Sequence, residues 1–131
     1  MAIPTQATSG TEVLRRGGVN ALSNADTLLK FDGGFTSPGN SSGAGVPTNH
    51  IVTLINIIFH NVSASDAEVI SLRVNTNSND IYLLKAEALG IKETYVWDEK
   101  IVLEGGDDLG IVATTTANID VWYSYIDQSW V

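Results

Sequence analysis

The chain of 131 residues contains no cysteine. That excludes a disulfide framework and thiolate chemistry, and it suits a protein made in a reducing cytosol, whether it stays there or is later released in an assembly. Charge is scarce too: Asp, Glu, Lys and Arg make up 17% of the residues, below the usual quarter. Much of the surface must therefore be Ser, Thr, Asn and Gly, or be covered by neighbours. Basic residues are the scarcest of all, with seven Lys and Arg against fifteen Asp and Glu and a net charge of −8. An acidic chain repels phosphate backbones and anionic lipid, so neither nucleic acid nor membrane is an expected partner. Long apolar runs are missing as well. "IVTLINIIFHNV" is the longest, and it is too short and too polar at Asn56 and His60 to span a bilayer. The start, MAIPTQATSGTEVLRR, lacks the basic start and apolar run of a signal peptide.

What is present reads as one globular domain, since 44% of the residues are hydrophobic. The charge is unevenly placed. Residues 1–50 balance Arg15, Arg16 and Lys30 against Glu12, Asp26 and Asp32, whereas residues 51–131 set four basic residues against twelve acidic ones. Residues 1–50 read as an N-terminal arm, first strands and a long loop, and residues 51–131 as the body. Residues 1–10 are small and polar, the composition of a mobile tail. Two strand-like runs follow, "TEVLRRGGVNA" and "DTLLKF". Residues 32–49, DGGFTSPGNSSGAGVPTN, form a loop long enough to suggest function or a partner that holds it.

From Ile51 onward the pattern is β. In "IVTLINIIFHNV" the odd positions Ile51, Ile55, Ile57 and Phe59 are apolar, and so are Val52, Leu54 and Ile58. Apolar residues on both faces predict a central strand covered on both sides. In "AEVISLRVN", Ile70, Leu72 and Val74 alternate with polar neighbours. "IYLLK", "TYVWDE", "KIVLE", "LGIVATTT" and "IDVWYSYID" follow at short intervals. "YLLKAEALG" competes as a short helix stopped by Gly90. About eight short strands with turn signals between them predict an all-β fold, a single jelly-roll-like β-sandwich with an extended N-terminal arm.

The densest group of carboxylates is Glu104-Gly105-Gly106-Asp107-Asp108. A two-metal site needs acidic groups from several segments and a surface for phosphate. Here no basic residue is near, and the simpler reading is a turn in which glycine supplies a positive φ and the Asp pair bonds its own backbone. Calcium accepts such carboxylates and carbonyls, but the spacing does not resemble an EF-hand loop. His50 and His60 lie ten apart on one strand, on the same face by parity and about 33 Å apart, too far to share a metal. No nucleophile elbow and no phosphate-cradling Gly-rich motif occurs. Catalytic, cofactor and metal residues are therefore not expected. In "IDVWYSYIDQSW", Val121, Tyr123 and Tyr125 share one face and Trp122, Ser124 and Ile126 the other. The aromatics suit a core or a subunit interface better than a sugar platform. Arg15-Arg16 is the only dibasic pair, and alternation lets at most one of the two face a given partner.

Three stretches together resemble small structural proteins of tailed bacteriophages: "SGTEVLRRGG" with "FDGG", then "VPTNHIVTLINIIF", then "YVWDEKIVLEGGDDLGIVATTTANIDVWYSYIDQ". The likeness lies in strand texture, a Gly-Gly-Asp hairpin and a final strand of alternating aromatics, not in a catalytic signature. It implies a virion component with no enzymatic residue set: a head decoration (cement) protein that binds the major capsid protein lattice, or else a neck, tail or fibre-attachment protein. It further implies assembly in the host bacterial cytoplasm and a homo-oligomer, with a trimer the natural guess. Within the N-terminal segment, Val13 and Leu14 would give apolar contact, and Arg15 or Arg16 charge-assisted bonds. Deleting residues 1–20 would then weaken binding and leave the body folded. A carbohydrate-binding sandwich is the alternative from another class, motivated by the tryptophans.

Overall fold

Nine strands account for most of the chain in the computed structural model, which describes residues 10–40, 42–115 and 118–130. They are β1 (Gly10–Leu22), β2 (Thr27–Leu28), β3 (His50–Asn61), β4 (Glu68–Thr76), β5 (Asn79–Leu89), β6 (Thr94–Trp97), β7 (Ile101–Glu104), β8 (Asp108–Ala113) and β9 (Ile119–Trp130). Residues 1–9, most of the expected tail, lie outside the described residues. One sheet has the order β1-β9-β3-β6, with β7 beside β6 on the same edge of β3; the other has the order β2-β8-β4-β5. The pairs β1·β9, β2·β8, β3·β6/β7 and β4·β5 are all antiparallel and nested. That is one long hairpin rolled up on itself, a jelly roll in which β6 and β7 share one strand position.

Alternation builds the core between the sheets. Val121, Tyr123 and Tyr125 of β9 face inward, as do Ile70, Leu72 and Val74 of β4. Tyr123 and Tyr125 are fully buried, and Phe31 meets both rings edge-on at 5.9 and 5.0 Å. Their close fit needs Gly17 on β1, where a Cβ would come within 2.3 Å of the Tyr123 ring. Burial pushes the Tyr123 and Tyr125 hydroxyls above the ordinary tyrosine range. Tyr123 donates to the Lys30 carbonyl, and Tyr125 accepts from the Gly33 amide at 2.9 Å. The loop at 32–49 is thus held by the sandwich itself. Phe31, Thr36 and Val46 are buried, and the Thr36 amide bonds the Gly18 carbonyl at 2.9 Å.

Three expectations need correction. First, among the described residues β3 is covered by a second sheet on only one face. A β-bulge at Ile55, where the register slips between Leu54 and Asn56, moves the core face from even to odd positions. Val52 and Leu54 point inward before it, and Ile57 and Phe59 after it. Second, "YLLKAEALG" is strand β5, not helix. Ala86 at φ 58° and two register slips against β4 accommodate its irregular pattern. Third, β7 and β8 are not a hairpin, because β7 pairs with β3 and β8 with β4, so the turn between them crosses from one sheet to the other.

Candidate functional site

The acidic turn makes that crossing, closed by its own backbone and Asp107. The Glu104 amide donates to the Asp107 carboxylate at 2.9 Å, the Asp107 amide to the Glu104 carbonyl at 3.0 Å, and Gly106 takes φ 94°. Asp108 lies against the Cα of Gly45, where a Cβ would sit 2.4 Å from its Oδ1. Burial pushes the Asp108 carboxyl above its ordinary value, opposed by Arg73 and helped by Asp107. Among the described residues no group of three or more His, Asp or Glu is placed to hold a metal ion.

The two histidines lie on opposite faces, which corrects the parity argument, because the bulge at Ile55 separates them. His50 sits at the rim of the core side, its Nδ1 2.7 Å from Asp127. His60 faces outward, its Nδ1 2.8 Å from the Thr94 hydroxyl.

Strand alternation divides the four candidate residues of β1. Arg15 points to the core side and donates from Nε to the buried Asp127 at 3.3 Å. Val13, its neighbour on that side, is 39% exposed at the rim. Leu14 and Arg16 point the other way, onto the outer face of the first sheet, where Leu14 is 71% exposed. Arg16 donates to the Gly33 carbonyl at 2.8 Å, and its guanidinium lies over the rings of Phe35 and Trp122, 4.9 and 5.9 Å from their centroids. The two rings meet edge-on at 5.7 Å. Thus Leu14 and Arg16 join one surface with Trp122, and Val13 and Arg15 do not.

That outer face can be read in rows across the strands. One row is Leu14, Ile126, Thr53 and Val102; the next is Arg16, Ser124 and Asn56; the third is Gly18, Trp122, Ile58 and Val96. These three central rows contain one charged residue, Arg16. The flanking rows are polar: Glu12, Gln128, Ile51 and Glu104 at one end, and Asp120, His60 and Thr94 at the other. The face thus carries two largely apolar rows on either side of a polar middle row, with polar groups closing both ends. Two shallow hollows flank Trp122. The one of about 510 Å³ is lined, beside Trp122, by Leu14, Arg15, Arg16, Ile55, Asn56 and Ser124. Asn56 sits at the bulge, and its Oδ1 is buried with no hydrogen-bond partner among the described residues. Asn56, Val96 and Val102 were missed in the sequence. Their signal was the run of apolar residues of both parities in β3, which reads as burial within one chain.

No family model matches the chain, and no curated protein matches it. Among solved structures it is similar to one titled "Structure of Eiger TNF from S. frugiperda", at 11% identity, covering 90% of this chain and 92% of that one with a TM-score of 0.34. At that level the likeness says nothing about what this chain does.

Proposed function

We propose that this protein is a structural component of a tailed-phage virion, a decoration protein that adheres to the capsid lattice as a symmetric oligomer, with a trimer at three-fold positions as its natural form. One observation carries the reading: the outer face of the β1-β9-β3-β6/β7 sheet offers Leu14, Trp122, Ile126, Val96 and Val102 around a single stacked cation. Such a face is built to adhere, and exposed apolar patches of this kind mark contact with other proteins. The sequence texture described above gives the phage setting. Mechanically, the protein would resist internal genome pressure through many modest contacts repeated over the lattice.

The test is a particle analysis. Purified virions from the source phage should hold this protein on the outer head surface in hundreds of copies, seen by electron microscopy and quantitative mass spectrometry. A few copies at the neck or tail would select the accessory-protein form of the reading. Complete absence from the particle would end it.

A further inference from the structure

We infer that the outer face of the first sheet is where a second copy of this chain docks, with Trp122 and Asn56 at the centre of the contact. The inference rests on the reading above and names the partner of that surface; the same face on both copies makes a two-fold pair in place of the three-fold contact proposed there, and three observations point to a copy of the chain itself.

Area comes first. Four strand positions at about 4.8 Å, of thirteen, twelve, twelve and (β6 with β7) eight residues at about 3.3 Å per residue, give a face of roughly 700 Å². One partner in a standard interface contributes about 800 Å². Charge comes second. A chain of net charge −8 can meet its own copy only where carboxylates are sparse. The three central rows have none, and Glu12, Glu104 and Asp120 stand at the rim, where Arg16 of an offset copy would meet them favourably.

Third, β3 is a central strand whose outward residues Ile51, Ile55 and Ile58 are apolar. They have the composition of a covered face, and none of the described strands packs on it.

Sedimentation equilibrium on the purified full-length protein tests this. The wild type should run at two or more times the 14.0 kDa chain mass. Trp122→Glu should fall to one chain mass with an unchanged far-ultraviolet spectrum. Leu14→Glu, at the most exposed apolar side chain, should weaken association at least tenfold, and it serves if Trp122→Glu fails to fold. Val112→Glu, on the outer face of the second sheet, should associate like the wild type. A wild type that stays monomeric at its highest soluble concentration overturns the inference. So does a folded Trp122→Glu or Leu14→Glu that still associates fully. If the wild type is monomeric but binds particles in a Trp122-dependent way, the face belongs to another virion protein and the function stands without the inference. If it is oligomeric but absent from particles, the inference stands without the function.

Discussion

A carboxylate buried in an all-β core is tolerated when its oxygens are answered, and Glu68 meets that condition. It is 1% exposed. It accepts from the Thr115 amide at 3.0 Å, the Asn118 amide group at 3.2 Å, the Thr114 hydroxyl at 3.3 Å and the Thr115 hydroxyl. Burial pushes its carboxyl up, but the bonds from Thr115, Asn118 and Thr114 outweigh burial and hold it below the ordinary 4.5. A carboxyl whose folded value lies below its unfolded one stabilises the protein fully above about 4.5, and that contribution fades as pH falls through the lower folded value. Replacing Glu68 with Gln should therefore cost about 1–3 kcal/mol at neutral pH, measured by urea unfolding. The gap to wild type should narrow as pH drops below 4.5. A gap constant from pH 7 down to pH 3 would show that the ionised form is not what matters. Asn61 does the same work with a neutral group: fully buried, it donates to the Asp66, Leu89 and Gly90 carbonyls and accepts from the Ser63 amide. Neither role was legible in the sequence, because both depend on partners that only folding brings near.

At the scale of the element, β3 shows what periodicity reveals and what it hides. Its composition announced a strand, and the strand is there. Its faces could not be assigned from alternation, because one extra residue at Ile55 reverses the parity midway. The same bulge put His50 and His60 on opposite faces and turned Asn56 toward the candidate site. Strands β4 and β9 have no such break on their inward faces, and there alternation grouped Ile70 with Leu72 and Tyr123 with Tyr125, each pair on one face, as the structure has them. A deletion series follows directly. Removing Ile55 leaves Leu54 opposite Tyr125, Asn56 opposite Ser124 and Ile57 opposite Tyr123, so every core residue keeps its side. This variant should fold, with a β-type circular dichroism spectrum and a single cooperative thermal transition. Removing Ile58 instead would send Phe59 outward and His60 inward, and that variant should be insoluble or lack a transition. Equal behaviour of the two deletions would mean that the bulge does not set the register.

For the whole molecule, the decisive feature is that the first and last strands are partners. Local texture displayed most of the strands, yet which strand pairs with which is a property of nested, long-range contacts, and no turn signal encodes it. That is why residues 10–22 read as an arm attached to a body, while in the structure they are the edge of the first sheet, paired with β9 from Gly10 opposite Trp130 to Val19 opposite Val121. The candidate site shares this origin: Leu14 and Arg16 were expected from the sequence to make contacts, but Trp122, Asn56 and Val96 lie beside them only once the sheet has formed. The consequence for truncation is specific. Val19 and Leu22 are buried, and full burial of such side chains contributes about 1.5–3 kcal/mol each. Gly17 packs on the Tyr123 ring, and β1 shields one edge of β9 along ten paired residues from Gly10 to Val19. Against a typical net stability of about 5–15 kcal/mol, the loss of Val19, Gly17 and that ladder is more than the body can absorb. Removing residues 1–20, the deletion that looked harmless to the body from sequence, should abolish cooperative unfolding. A truncation at residue 20 that still melts in one sharp transition would show that β9 holds the sandwich closed without β1, and that residues 10–20 are an arm after all.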